Sequence, residues 1–205
     1  MRSAPVRAER TLRIIAGQWR GRKFRFPPLD IRPTPDRVRE TLFNWLQSRI
    51  EGARCLDLFA GSGALGLEAL SRGAAEVTFI EQQRTATRAI EKLLLDWQAS
   101  GGHVLCGDAQ AFLAAKPPAR PFDVVFLDPP YGSSALAACA RRLDAGWLAA
   151  GARIYVECAR REALPLLPAS WQELRSGRAG EVGYYLFGAG GAMTPGDMPG
   201  SETTT

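Results

Sequence analysis

The most informative segment of this sequence is the glycine-rich stretch Asp57-Leu58-Phe59-Ala60-Gly61-Ser62-Gly63-Ala64-Leu65-Gly66. It stands between a short apolar run, which predicts a strand, and an apolar helical pattern, so its glycines have the spacing G-x-G-x-x-G at a strand-to-helix turn. Glycines in such a loop let the backbone come close to a ligand, and the N-terminus of the following helix attracts negative charge. The segment therefore predicts a binding site for a nucleotide-type cofactor.

On both sides of this loop, short apolar runs alternate with longer helical patterns. The apolar runs predict strands at residues 55–59, 77–81, 104–106, 124–127 and 154–157. Helical spacing between them predicts helices at residues 64–71, 84–98, 109–115 and 134–145. Apolar strands separated by helices are typical of an α/β fold with a doubly wound, mostly parallel sheet of the Rossmann-like class. Two further runs, 171–176 and 182–187, predict an antiparallel strand pair at the sheet edge.

The residues before the sheet predict a small N-terminal hairpin. Residues 12–16 and 22–26 have strand character around a glycine-bracketed turn, and such a hairpin would present Trp19, Arg20 and Arg22. The prolines at positions 27, 28, 33 and 35 then indicate an extended linker. Thr34 or Asp36 is expected to cap a helix over residues 36–48.

With 205 residues, 46% of them apolar, the chain has the size of one globular domain. We expect a basic arm with its hairpin at 1–35, a globular domain at 36–187, and a disordered tail rich in Gly, Pro, Ser and Thr at 188–205. No apolar stretch reaches 18 residues, and the first 13 residues hold four arginines without an apolar core. A cytoplasmic protein without a membrane segment is therefore expected.

Charge is distributed unevenly along the chain. Residues 1–39 contain eleven arginine and lysine residues against three acids, a local charge of +8, whereas the remaining residues carry −3. A basic arm on a slightly acidic body indicates a polyanionic partner, because clustered cations displace the counterions of phosphates. An ordinary solvated tail could have the same charge. Arginine outnumbers lysine ten to one in this arm, which favours bidentate phosphate contacts.

The few cysteines and the single histidine argue against a metal site, a disulfide framework and a histidine base. The cysteines, at positions 55, 106, 139 and 158, form no C-x-x-C pair and lie near no histidine at a ligand spacing. We expect them to be buried and reduced, and we predict neither a metal site nor a disulfide framework. His103 is the only histidine, so a mechanism that needs a histidine base is not favoured.

Three acids refine the cofactor prediction. Glu81 ends the second strand, twenty residues after Gly61, and is placed to accept hydrogen bonds from two ribose hydroxyls. This arrangement also suits a dinucleotide, but Asp57 would repel a pyrophosphate and attract the ammonium group of S-adenosylmethionine. Asp108, after the third strand, could accept from an adenine amino group, cap the next helix, or do both. S-adenosylmethionine is therefore the favoured cofactor, and a dinucleotide is the alternative.

A proline-rich segment, Phe126-Leu127-Asp128-Pro129-Pro130-Tyr131-Gly132, follows the fourth strand, at the end where open α/β sheets bind ligands. Its prolines remove backbone donors, which leaves the Asp128 carboxylate and the Pro129 carbonyl as paired acceptors. Such a pair can hold both hydrogens of an exocyclic base amine, and these contacts strengthen as the nitrogen becomes cationic. Tyr131 could stack on a base turned out of its helix. The purely structural interpretation is a rigid Pro-Pro turn with a buried tyrosine.

These features together resemble the class I N-methyltransferases with an [N/D]-P-P-[Y/F] motif. The N-terminal block at 13–23, Arg-Ile-Ile-Ala-Gly-Gln-Trp-Arg-Gly-Arg-Lys, with Arg32-Pro33-Thr34 and residues 36–46, resembles the bacterial 16S ribosomal RNA guanine-N2 methyltransferases of the RsmD family. The match continues through 57–72, 128–131 and 146–148, and it spans residues 12–187. It implies a monomer that methylates a guanine in RNA of an assembled or nearly assembled small subunit.

The resemblance also implies a role for each matched position. Asp128, Pro129, Pro130 and Tyr131 would be the catalytic residues, and the frequent Phe at the last position implies that stacking matters more than the hydroxyl. The cofactor would be bound by Asp57, Phe59, Gly61, Ser62, Gly63, Glu81, Gln82, Asp108, Ala109 and Asp128. The RNA would be bound by Arg20, Arg22, Lys23, Arg32, Arg37 and Arg39. For Thr34, Arg37 and Arg39 a scaffold role is equally consistent with the sequence.

The sequence is compatible with three other functions. The acceptor pair does not distinguish guanine from adenine, so an adenine-N6 methyltransferase acting on DNA is the first alternative. A nicotinamide-dependent oxidoreductase is disfavoured, because no catalytic acid or hydride-site residue stands beside the glycine loop. The third alternative is an RNA-binding assembly factor without turnover, which would bind RNA whether or not Asp128 is present.

Overall fold

The computed structural model describes residues 10–27, 34–130 and 134–190. The strands are β1 (Arg10–Arg13), β2 (Lys23–Phe26), β3 (Arg54–Asp57), β4 (Glu76–Glu81), β5 (Gly102–Cys106), β6 (Phe122–Leu127), β7 (Leu148–Ala159), β8 (Trp171–Ala179) and β9 (Val182–Ala189). The helices are α1 (Asp36–Trp45), α2 (Ala64–Ser71), α3 (Arg84–Asp96), α4 (Ala109–Leu113) and α5 (Ala135–Leu143). Seven strands form one sheet in the order β5-β4-β3-β6-β7-β9-β8, and β1 pairs with β2 in a separate hairpin.

The parallel strands β3, β4, β6 and β7 are largely buried because helices cover both faces of the sheet, whereas β5 lies at the edge and is partly exposed. Alternate residues of β6 show this arrangement. Val124 and Phe126 pack into the core shared with α1, α2 and α3, whereas Val125 and Leu127 pack into the core shared with α4 and α5. The doubly wound, mostly parallel α/β sheet predicted from the sequence is confirmed.

The antiparallel edge pair is also confirmed, with longer strands than predicted. Strand β9 pairs with β7 and β8 pairs with β9, and a register shift between Glu173 and Arg175 marks a bulge in β8. Because β9 pairs with β8 up to Ala189, the sheet extends two residues past the predicted domain end at 187. Residues 191–205 of the predicted tail lie outside the described residues.

The hairpin forms, but its turn does not present Trp19. Strand β1 ends three residues earlier than predicted, at Arg13. Trp19 is 5% exposed, and its ring lies 5.2 Å from that of Trp97, centroid to centroid. The indole is buried because the end of α3 offers an aromatic surface for it. Arg20 and Arg22 are exposed, as the sequence predicted.

Buried hydrogen bonds fix this hairpin to α2. The Glu68 carboxylate accepts the backbone N–H groups of Ile15 and Ala16 at 2.8 and 3.0 Å. A side chain at Gly17 would overlap the Ser71 carbonyl, so the close approach of the turn to α2 requires glycine. The hairpin therefore packs into the same core as the helices α1, α2 and α3.

The first turn of α1 lacks the side-chain cap that the sequence predicted. Pro35 is the N-cap residue, and no side chain caps the helix. Thr34 instead donates to Glu157, and Asp36 accepts from Arg13 and Arg39, so neither side chain caps the helix and the predicted capping is wrong.

The topology opens a crevice where β3 and β6 lie side by side. The chain leaves β3 for α2 on one face of the sheet and leaves β6 for α5 on the other face. Between two such strands no helix closes the carboxyl ends, and open α/β sheets bind their ligands at this switch point. The loops after β3, β4, β5 and β6 therefore converge on one place.

Candidate active site

A cavity of about 640 Å³ opens at this switch point. Its wall combines the glycine loop, the end of β4, the start of α4 and the segment after β6. The predicted site residues that line it are Asp57, Phe59, Gly61, Ser62, Glu81, Gln82, Asp108, Ala109, Asp128, Pro129 and Pro130. Residues far apart in the sequence are brought together because parallel strands end at the same edge of the sheet.

Glu81 holds the glycine loop at one side of the cavity. Its Oε2 accepts the Gly61 N–H at 2.9 Å, and its Oε1 accepts the Gln83 N–H at 2.7 Å. Gly61 has a φ of 52°, a left-handed conformation that glycine adopts without strain. A carboxylate has about four lone-pair positions, so Glu81 can still accept hydrogen bonds from a ligand.

The other two glycines of the loop serve the packing of α2. Gly63 is the N-cap residue of α2 and has a φ of 77°. A Cβ at Gly66 would overlap the ring of Phe79 on β4. Glycine at this position lets α2 lie directly on the sheet, which keeps the N-terminus of the helix close to the cavity.

Asp57 ends β3 beneath the loop. It is 3% exposed, and its Oδ2 accepts the Gly66 N–H at 3.1 Å. Burial raises the pKa of Asp57 to about 7; the Gly66 hydrogen bond opposes this rise and the nearby charge of Glu81 adds to it. A nearby cation, such as an ammonium group, would stabilise the ionised form of this buried carboxyl group.

Asp108 follows β5 and caps α4. Its Oδ1 accepts the Ala111 N–H at 2.8 Å, so the capping interpretation is confirmed. The carboxylate is exposed and also lines the cavity. Capping uses one of about four lone-pair positions of the carboxylate, so Asp108 can still accept from an adenine amino group.

Asp128 and Pro129 begin the segment after β6. Asp128 is half-buried, Pro129 is buried, and both line the cavity. Burial raises the pKa of Asp128 well above its ordinary value, and the carboxyl groups of Glu157 and Asp57 raise it further. Tyr131 lies outside the described residues, so its stacking role stays a prediction.

A fifth acid beside the cavity, Glu157, was not predicted from the sequence. Glu157, in β7, is 2% exposed, and its Oε1 accepts the hydroxyls of Thr34 and Tyr155, each at 2.7 Å. Burial raises the pKa of Glu157, while these two hydrogen bonds oppose the rise. The sequence carried a signal, because Glu157 ends the predicted apolar strand 154–157 just as Glu81 ends the predicted strand 77–81.

The predicted RNA-binding cations have different surroundings. Arg20, Arg22 and Lys23 are exposed on the hairpin, and Arg37 is exposed on α1. The Arg22 guanidinium lies 5.9 Å from the centroid of the Trp97 ring. Arg32 lies outside the described residues.

Arg39 is not available to RNA, so this prediction is wrong. It is fully buried, and its Nη2 donates to the Arg13 carbonyl at 3.0 Å and to the Asp36 carboxylate at 2.6 Å. Its Nη1 lies 3.8 Å from Glu68. Helical spacing puts Arg39 on the same side of α1 as the buried Leu42, so it ties α1 to the hairpin and to α2.

The cysteines are free, but not all of them are buried. Cys55, Cys139 and Cys158 are buried, whereas Cys106 is exposed because β5 is an edge strand. Within residues 10–27, 34–130 and 134–190, no cluster of three His, Cys, Asp or Glu side chains could hold a metal ion. In the same ranges, no helix has the length and apolar character needed to cross a membrane.

Comparison with known proteins agrees with the resemblance seen in the N-terminal block and the D-P-P-Y segment. The family model described as "Conserved hypothetical protein 95" matches residues 12–188. "Ribosomal RNA small subunit methyltransferase D" of Escherichia coli (strain K12) is 49% identical over 178 residues, 86% of this chain and 89% of that protein. The Haemophilus influenzae protein of the same name is 43% identical over 186 residues, 88% of this chain and 95% of that protein.

A solved structure has the same architecture. The candidate methyltransferase yhhF from Escherichia coli superimposes with a TM-score of 0.81 at 46% identity, covering 88% of this chain and 98% of that one. The family model spans the hairpin and the sheet domain together. The chain therefore belongs to the conserved hypothetical protein 95 family, together with the bacterial ribosomal RNA small subunit methyltransferase D proteins.

Proposed function

We propose that this protein transfers a methyl group from S-adenosylmethionine to the exocyclic N2 amino group of a guanine in 16S ribosomal RNA of the small subunit. One observation carries the proposal. The paired acceptors of Asp128 and Pro129 line the same cavity as the glycine loop, Asp57 and Glu81. When bound, S-adenosylmethionine supplies an electrophilic methyl group on a positively charged sulfur.

The polar groups of the cavity fit the parts of this cofactor. Asp57 would accept from the ammonium group, Glu81 from the ribose hydroxyls, and Asp108 from the adenine amino group. The cavity, about 640 Å³, is within the size range of small-molecule sites. The other predicted cofactor residues, Phe59, Gly61, Ser62, Gln82 and Ala109, form its wall, and Gly63 fixes the start of α2.

Asp128 and Pro129 would do the chemistry on the amino group. The carboxylate and the carbonyl hold its two hydrogens, which directs the nitrogen lone pair at the methyl carbon. As the nitrogen–carbon bond forms and the carbon–sulfur bond breaks, the nitrogen becomes positively charged, and both contacts strengthen. The nitrogen then loses one proton to the Asp128 carboxylate, whose raised pKa makes it a stronger base than an exposed aspartate.

The RNA substrate is proposed from the relatives and from the surface charge. The relatives are named as methyltransferases of small-subunit ribosomal RNA. Phosphate contacts are proposed for the exposed cations Arg20, Arg22, Lys23 and Arg37. We propose a further phosphate contact for Arg32 and base stacking for Tyr131. We propose a monomer in the cytoplasm that acts on an assembled or nearly assembled subunit.

The test is methyl transfer from labelled S-adenosylmethionine to three substrates: small subunits from a deletion strain, free 16S ribosomal RNA, and unmethylated DNA. Nucleoside mass spectrometry should find N2-methylguanosine in the RNA and no methylated base in the DNA. N6-methyladenine in the DNA would support the first alternative instead. RNA binding without turnover, unchanged in Asp128→Ala, would identify an assembly factor, and calorimetry with NADH would detect a dinucleotide site.

A further inference from the structure

Glu157 is a neighbour of the proposed catalytic carboxylate. Strands β6 and β7 run parallel with Phe126 opposite Tyr155, and both of these side chains face the core shared with α1 and α2. Side chains two positions apart in a strand point to the same face, so Asp128 and Glu157 continue this row at the carboxyl ends of the two strands. The charge of Glu157 acts on Asp128 at this point.

The partners of Glu157 are hydroxyl groups. Thr34 and Tyr155 both donate to its Oε1 at 2.7 Å, and Tyr155 is fully buried. Among the residues that the structure describes, no arginine or lysine forms an ion pair with Glu157. A buried acid without a cation costs stability, because burial penalises its charged form. The two hydrogen bonds tie Glu157 to Thr34, just before α1, and to Tyr155 on its own strand.

The Thr34 hydrogen bond connects Glu157 to the start of α1. Thr34 is 6% exposed and lines the cavity, and the next residue, Pro35, is the N-cap of α1. The Pro35 carbonyl accepts the N–H groups of Val38 and Arg39, each at 3.0 Å. By holding Thr34, Glu157 fixes the entry of α1 and the part of the cavity wall that the N-terminal segment supplies.

We propose that Glu157 is a positioning residue for methyl transfer, which holds Thr34 against the cavity beside the Asp128 carboxyl group. The inference rests on the proposed function, since Asp128 is its target. Two neighbouring carboxyl groups titrate as a pair, so the negative charge of Glu157 makes Asp128 bind its proton more tightly. The loss of the amine proton to Asp128 is favoured by that charge.

The first experiment removes the hydroxyl that holds Thr34 in place. Thr34→Val keeps the shape of the side chain but loses the donor, whereas Thr34→Ser keeps the donor. Thr41→Val is the control, since Thr41 makes its hydrogen bond within α1, to the Arg37 carbonyl. We expect Thr34→Val to lower kcat about tenfold with a smaller change in the Kd for S-adenosylmethionine, and Thr34→Ser to recover most of the loss.

Amide hydrogen exchange supplies a readout that does not depend on turnover. In Thr34→Val the amides of Val38 and Arg39 should exchange faster than in the wild type, since the first turn of α1 loses its anchor. In Thr41→Val these two amides should keep their wild-type rates. Wild-type exchange at both amides in Thr34→Val would contradict the anchoring role of Glu157.

The second experiment uses Glu157→Gln and the pH dependence of kcat. The amide oxygen still accepts from Thr34 and Tyr155, but the negative charge next to Asp128 is removed. The other titratable groups that face this point are Asp57 on β3, Tyr155 on β7 and Tyr184 on β9, and they are unchanged. Because the Glu157 charge raises the pKa of Asp128, the acid limb of kcat should move to lower pH in this variant.

The outcomes separate this inference from the proposed function. If the wild type methylates RNA, wild-type kcat in Thr34→Val together with an unmoved acid limb in Glu157→Gln would overturn the inference alone. If the wild type methylates no RNA at any pH, both the inference and the proposed function are overturned. A tenfold loss that Thr34→Ser recovers, with a shifted acid limb in Glu157→Gln, supports both.

Discussion

The Glu81 carboxylate accepts the backbone N–H of Gly61 across 2.9 Å and thereby ties the end of β4 to the loop after β3. Its other oxygen accepts the Gln83 N–H. The Glu81 carboxylate thus holds two backbone segments that line the cavity. The same carboxylate is the group proposed to bind the ribose. The loop and the cofactor site therefore depend on the same side chain.

Replacing Glu81 with alanine should weaken both stability and cofactor binding. Two N–H groups lose their acceptor, which costs about 1–3 kcal/mol for each one that stays buried and unpaired. Calorimetry should show at least a tenfold rise in the Kd for S-adenosylmethionine. Glu91→Ala, an exposed change on α3, is the control and should leave both quantities close to wild type. Unchanged affinity in Glu81→Ala would exclude the ribose contact.

Replacing Asp128 with alanine should abolish methyl transfer while largely sparing cofactor binding. The carboxylate is proposed to contact the reacting amino group, so its loss acts mainly on the transition state. We expect kcat to fall at least about a hundredfold, in the range typical for loss of a general base. Single-turnover assays and calorimetry on the same preparation separate the two effects. Full activity in Asp128→Ala would refute the mechanism.

The pH dependence of stability and binding should report on Asp57. Its folded-state pKa is about 7, above the ordinary value, so between about pH 4 and pH 7 the folded chain binds more protons than the unfolded chain. Stability of the free protein should therefore fall as the pH rises through this window. A bound ammonium group favours the ionised carboxylate, so affinity for S-adenosylmethionine should increase from pH 6 to pH 7.5.

The variant Asp57→Asn tests this assignment. Its amide oxygen still accepts the Gly66 N–H but carries no charge. Urea unfolding of the free protein should lose the Asp57 contribution to the pH slope, and calorimetry should show weaker binding with less dependence on pH. Identical pH slopes in the wild type and the variant would show that another group titrates.

Arg39 and Arg37 provide a matched pair of substitutions on α1. Arg39→Met should lower the free energy of unfolding by about 3–5 kcal/mol, because it leaves the partners of a buried ion pair without their cation. Arg37→Met changes an exposed side chain, so it should cost less than about 0.5 kcal/mol and act on RNA affinity instead. Denaturant unfolding and RNA-binding titrations compare the two. Equal stability of both variants would contradict the scaffold role of Arg39.

The exposed cations of the hairpin should contribute to RNA binding through phosphates. Replacing Arg20, Arg22 and Lys23 with glutamine should weaken binding, and it should flatten the dependence of log K on log salt by about 0.7–0.9 for each phosphate contact that is lost. The Kd for S-adenosylmethionine should not change, because these residues lie outside the cavity wall. Filter binding at several salt concentrations measures the slope. An unchanged slope would place the RNA elsewhere.

Much of the site could be predicted from the sequence because its residues stand at strand ends. Asp57, Glu81 and Asp128 each follow or end an apolar run, and parallel strands bring such ends to one edge of the sheet. Periodicity could not predict the partner of a polar side chain. Both Thr34 and Asp36 are residue types that often cap helices. In the structure, however, Thr34 bonds Glu157 of β7 and Asp36 bonds Arg39 of α1.

The alternating helices and strands, the glycine loop and the acceptor pair after β6 could be predicted from the chain, because they depend on local spacing and backbone chemistry. The burial of individual polar residues depends on tertiary packing. Arg39 and Arg37 are two positions apart on the same helix, yet one lies in the core beside Glu68 and the other faces solvent. Glu157 became part of the site because β7 pairs with β6 and α1 begins above it. Burial and pairing across elements arise from the packing of distant segments, and the local pattern of a sequence does not contain that information.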